Sequence, residues 1–166
     1  MSLTRQALFV AGLGCAGLAC TDTTSPSVPR ASAVVQRDTI VPALITAGTV
    51  TWLRFTVAVT VHNTGTAALA FDLCESAVEV QAGSGWGPAW SPICALVLGS
   101  GPVIPAGASR ELTVDVKAAV QGPGYPDWRA TTVDGTYRLL VALASSGARR
   151  ADLRVTSNAF ILAGTS

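Results

Sequence analysis

Histidine occurs once in this chain of 166 residues, and charged side chains make up only 13% of it. With His62 alone, a zinc site lacks ligands and a catalytic thiol or hydroxyl lacks a base. Charge of one sign is also missing. Eleven Lys and Arg face ten Asp and Glu, interspersed along the chain, so no basic face is offered to nucleic acid. Long apolar runs are absent too. Ala7 to Ala19 is uncharged but spans 13 residues, short of the roughly 20 that a helix needs to cross a bilayer. No Gly-rich phosphate loop opens a helix, because nothing after the first twenty residues has helical periodicity. The acids fall on outward strand positions (Glu79, Glu111, Asp115, Asp152) or in turns (Asp127, Asp134). Asp72 and Glu75 are the close pair, and they lack a calcium-loop signature. These shortages point to a protein without enzymatic activity, metal or cofactor.

Apolar residues, by contrast, reach 49%. With so little net charge, that excludes a disordered chain, and the length suits one domain behind a leader. Arg5, the apolar stretch after it and the small residues near its end read as a secretory signal over residues 1–19. Ala16-Gly17-Leu18-Ala19-Cys20 resembles a bacterial lipoprotein signal, in which the Cys becomes the acylated first residue of the mature chain. That family usually has Leu where Gly17 stands. Plain secretory cleavage at the same bond is the alternative reading. The resemblance implies a membrane partner reached through lipid on Cys20, because each buried CH₂ contributes about 0.8 kcal/mol. Loss of residues 1–19 removes Arg5 alone and leaves ten cations against ten acids, so no basic patch acts as the anchor. Residues 20–35, rich in Ser, Thr and Pro, are expected to form a flexible tether.

Beyond the tether the period is two. Leu53, Phe55, Val57, Val59 and Val61 alternate with Trp52, Arg54, Thr56, Ala58, Thr60 and His62, and Asn63-Thr64-Gly65 ends the run. Leu112, Val114 and Val116 alternate in the same way. Tyr137, Leu139, Val141 and Leu143 share a third face. Leu153 and Val155 form a fourth segment, which Ser157-Asn158 interrupts before Phe160 and Leu162. Weaker strands are expected at 34–41, 67–73, 77–81 and 93–98. Seven or eight such strands imply an all-β, antiparallel two-sheet sandwich over residues 36–164.

The turns carry a resemblance. His62-Asn63-Thr64-Gly65, then Ile104-Pro105-Ala106-Gly107, then Asp134-Gly135-Thr136-Tyr137-Arg138 resemble bacterial immunoglobulin-like sandwich domains. More loosely, they are similar to the domain family named after the Bacillus intracellular proteinase inhibitor. The likeness spans about residues 36–163. It implies an immunoglobulin-like sandwich and a structural tyrosine corner at Tyr137, with Leu139 where antibody domains have their second Cys.

Cys74 and Cys94 remain after the leader, and in an exported chain an even pair reads as a disulfide. Between them, Gly83 to Pro92 is expected to be an irregular loop holding Trp86 and Trp90. Tyr125 and Trp128 lie in a second Gly/Pro-rich stretch. Such rings either fold back as lids over the core or stay exposed to grip a protein or carbohydrate. The function expected is therefore a monomeric, exported, lipid-anchored envelope module that binds or supports. The alternative is a proteinase-inhibitor-like or carbohydrate-binding module using the Trp-rich loop at 83–92.

Overall fold

The computed structural model describes residues 30–94 and 101–164. Among them there is no helix, and the strands form two sheets. The strands are β1 (Ala31–Val35), β2 (Thr39–Ile40), β3 (Ala43–Ala47), β4 (Val50–Asn63), β5 (Leu69–Ala82), β6 (Gly85–Trp90), β7 (Val103–Ile104), β8 (Ser109–Gln121), β9 (Gly135–Ser145), β10 (Leu153–Thr156) and β11 (Phe160–Leu162). The count exceeds the seven or eight expected, because several short edge segments pair independently.

β4 and β8 are the long strands of the first sheet. They pair antiparallel from Thr51 opposite Gln121 to His62 opposite Ser109. Their alternating residues point as the period required. Leu53, Val57, Val59, Val61 and Val114 are fully buried, while Arg54, Thr56, Asp115 and Lys117 are exposed. The opposite edge of β4 carries β1 near its end and β3 near its start. β1 lies within the segment expected to be tether, so Ala31–Val35 belongs to the folded domain rather than to a flexible linker. Ala31, Ala33 and Val35 bury small side chains beneath Ser32 and Val34, an alternation too slight to stand out by hydrophobicity.

The second sheet runs β2-β11-β9-β5-β6, with β10 also on β9 and β7 on β5. It is not purely antiparallel, since β2 pairs parallel with β11. β6 corrects the expected loop at 83–92. Gly83 at φ 59° is the first central residue of a two-residue turn, the position where a II′ hairpin requires positive φ, and Gly85 to Trp90 then returns along β5. At the expected strand 93–98, Ile93 and Cys94 are irregular, and the rest lies outside the described residues. Facing side chains of both sheets form one core cluster, with Leu53, Phe55 and Val57 on one side and Phe71, Val78, Leu139 and Phe160 on the other.

Side chains complete the ladder where backbone pairing fails. The register of β5 on β9 shifts between Asp72 and Ala77. There Ser76 Oγ donates to the Asp72 carbonyl at 2.7 Å and accepts the Ala142 N–H at 3.0 Å. Ser157 Oγ accepts the Leu139 N–H in the gap between β10 and β11. Asn63, fully buried, donates through Nδ2 to the carbonyls of Ala67, Ile104 and Pro105 at 2.8, 3.0 and 3.1 Å. Each substitution matters because an unpaired buried peptide group costs about 1–3 kcal/mol.

Candidate functional site

The aromatic residues singled out by sequence have different fates. Trp90 is 3% exposed and Trp128 8%, and both close the core as lids. Each indole N–H is satisfied by a carbonyl, Trp90 by Lys117 at 3.0 Å and Trp128 by Thr132 at 3.2 Å. Phe55, Trp128, Tyr137 and Phe160 then contact one another in sequence, the first pair edge to face and the others tilted, with ring centroids 6.0, 5.4 and 6.3 Å apart. Tyr125, beside the cis bond to Pro126, stands 66% exposed.

Trp86 belongs to neither group. Half-buried on β6, it lies opposite Gln81 of β5. The Arg138 guanidinium sits over its ring at 4.5 Å. Arg138 pairs across the ladder with Glu79, its Nε 2.7 Å from Glu79 Oε2. Both partners are mostly shielded, so this carboxylate fixes the guanidinium and the guanidinium fixes the indole. A ring held this way keeps little rotamer freedom to lose on binding. Sequence reasoning missed Arg138 and Glu79 because they become neighbours only through the register of β5 on β9.

Tyr137 is fully buried, and its hydroxyl donates to the carbonyls of Thr132 and Val133 at 3.0 and 2.9 Å. Burial, with the Asp134 charge adding to it, pushes the phenol up to about 12. That hydroxyl is structural and is not presented to solvent. Asp152 accepts the Ser145 N–H at 2.8 Å, which holds its carboxyl below the usual range.

Cys74 and Cys94 form the disulfide that their pairing suggested. It staples the β5 irregularity to the chain leaving β6, and both residues are exposed. The acids nearby are engaged. Asp72 Oδ1 accepts the N–H groups of Cys74 and Glu75, and Glu75 Oε2 lies 2.7 Å from Arg154 Nη2. His62 is exposed at the end of β4, with Nδ1 2.9 Å from Ser109 Oγ. Cys20 lies outside the described residues. A groove of about 1010 Å³ opens between β5 and β8, lined by none of Trp86, Trp90, Tyr125 and Trp128, and gathers Arg110, Glu111, Arg149 and Arg150.

No family model matches this chain, and no curated protein matches it. Among solved structures, target SoR45 of the Northeast Structural Genomics Consortium is 15% identical over 81% of this chain and 87% of its own, with a TM-score of 0.43. The alkylpurine DNA glycosylase AlkC of Pseudomonas fluorescens, bound to DNA containing an abasic site analog, is 14% identical. That match covers 83% of this chain and 32% of the glycosylase chain, with a TM-score of 0.37. At such scores neither bears on what this chain binds or does. What remains is local chemistry. In the Trp86–Arg138–Glu79 group a half-buried indole is held against a guanidinium that is paired with a carboxylate.

Proposed function

We propose that this protein is a non-enzymatic exported module, lipid-anchored at Cys20, whose immunoglobulin-like sandwich binds a protein or carbohydrate partner through Trp86. The observation that carries the binding role is the indole clamped by Arg138, itself clamped by Glu79. Three features support the immunoglobulin-like reading. β1, β4 and β8 sit in one sheet, with β11, β9, β5 and β6 adjacent in the other. β2 leaves the first sheet's company to pair with β11. The Tyr137 hydroxyl reaches back to carbonyls four and five residues upstream, the geometry of a tyrosine corner. The pairing of Gly85–Trp90 along β5 favours a ring presented on a sheet face over a free loop inserted into a protease cleft.

One experiment with two readouts tests this. The protein and its Cys20→Ser and Trp86→Ala variants are expressed in bacteria with labelled palmitate, then applied to glycan and envelope-protein arrays. Label and membrane retention should vanish in Cys20→Ser, and array binding should vanish in Trp86→Ala. Label persisting in Cys20→Ser refutes the anchor, and an unchanged binding profile in Trp86→Ala refutes the platform.

A further inference from the structure

The outer face of the first sheet holds an arrangement that folding alone does not favour. Arg54 of β4 and Lys117 of β8 stand directly opposite one another in the ladder, and both are exposed. Like charges in that position destabilise a sheet. Among the described residues the ion pairs are Arg129–Asp127, Arg138–Glu79 and Arg154–Glu75, so neither Arg54 nor Lys117 is neutralised by one. The Lys117 ammonium instead lies 4.2 Å above the ring of Trp52, a partly exposed indole on the same face. Two residue pairs along the ladder from the cations, and so on the same face, Asp115 accepts the Thr56 hydroxyl at 2.7 Å. Arg54, Thr56, Asp115 and Lys117 line a shallow depression of about 500 Å³, and Trp52 adjoins it through its contact with Lys117. The strand beneath is held in place, because Trp90 of the other sheet donates to the Lys117 carbonyl.

We propose that this depression binds an acidic sugar, a uronate unit of a polysaccharide. Two adjacent cations without carboxylate partners suit a ligand carboxylate. A second oxygen on Asp115 suits a sugar hydroxyl. Once Lys117 turns from the indole to the ligand, the face of Trp52 is free to stack on a sugar ring. Asp115 decides between acidic ligands. Its charge opposes a surface that is anionic throughout, such as a lipid bilayer, and favours a ligand carrying hydroxyls beside its anion. Position agrees with this choice on the anchored reading of the protein. Arg54 lies nine residues along β4 from Asn63, which pairs with Ala31 where the tether joins. At strand rise that separation is about 30 Å, so the depression faces away from the membrane-side end.

The test uses full-length protein carrying Cys20→Ser, so that failure of the anchor does not affect it. Hexagalacturonate, a neutral galacto-oligosaccharide and vesicles containing phosphatidylglycerol are titrated by calorimetry and by indole fluorescence. Hexagalacturonate should bind and change the Trp52 emission, which Trp52→Phe identifies by difference. The neutral sugar should not bind. Arg54→Gln and Lys117→Gln should each weaken binding about tenfold, as expected for loss of one charged hydrogen bond. Circular dichroism checks that these exposed substitutions leave the fold intact. Equal binding of the neutral sugar, affinity unchanged by both substitutions, or binding to the vesicles alone would each overturn the assignment.

Discussion

Replacing Tyr137 by Phe removes one oxygen atom from the centre of the molecule and leaves every ring contact in place. In the protein that oxygen donates to the carbonyls of Thr132 and Val133. Thr132 keeps a second donor in the Trp128 indole, whereas Val133 loses the Tyr137 hydroxyl as its donor. One net hydrogen bond and one stranded carbonyl together amount to about 1–2 kcal/mol. For a domain of this size that lowers the thermal midpoint by about 3–8 °C. The effect should also depend on pH, with a defined sign. The phenol titrates near 10 when unfolded and is pushed up to about 12 when folded. Below pH 10 both states hold the proton and the hydroxyl contributes fully. Above it the unfolded chain releases the proton first, so stability falls until the folded phenol titrates as well. By about pH 11 that loss is about 1 kcal/mol, comparable to the gain the hydroxyl provides. Melting curves of the protein and Tyr137→Phe, followed by circular dichroism, should therefore differ at neutral pH and converge as the solution is made alkaline. Equal midpoints at neutral pH, or a difference that stays constant from pH 8 to 12, would refute the reasoning.

Two further predictions follow from polar and covalent ties. Asn63→Ala deprives three buried or half-buried carbonyls of one shared donor and should cost about 2–4 kcal/mol in urea unfolding; a loss below about 0.5 kcal/mol would show that water replaces the amide. Replacing Cys74 and Cys94 together by Ser opens a loop closed over 20 residues and should cost about 3 kcal/mol. Reducing the disulfide in the unsubstituted protein should reproduce that drop, and a reduced protein as stable as the oxidised one would contradict it.

Much of the fold is legible in the sequence wherever the period of two is written in large side chains. β4 and the middle of β8 alternate Leu, Val and Phe against residues such as Thr, Arg and Asp, and their burial follows that order. In β9, Tyr137, Leu139, Val141 and Leu143 are buried as the period required, although Ala142 between them is buried too. β1 has the same alternation in Ala and Ser, where burial changes hydrophobicity too little to reveal it. β6 sets its two Trp among Gly and Pro, which disfavour strands, and it exists because Gly83 permits the turn that lays it along β5. The parallel contact of β2 with β11 joins segments more than a hundred residues apart, and no local pattern encodes such a pairing. The site divides in the same way. That Trp86 and Trp90 had two possible roles was readable; which role each took depends on strand face. Trp90 turns inward beside Ala89, while Trp86 meets an Arg from another strand. Arg54 and Lys117 were each readable as outward positions, but their opposition depends on the register of β4 and β8.

Val35, the last residue of β1, is held by a side chain acting as a strand. Its N–H donates to Asn158 Oδ1 at 2.7 Å, and Asn158 Nδ2 returns a bond of 3.3 Å to its carbonyl. Asn158 lies between β10 and β11 of the opposite sheet, so this one amide rivets the two sheets together near the N-terminal end of the fold. A pull on the leading segment therefore cannot peel β1 from β4 one pair at a time without loading β9 through its neighbours. Under traction the domain should yield as a unit, at a force set by both sheets, and Asn158→Ala should turn that single rupture into an early, gentle unzipping.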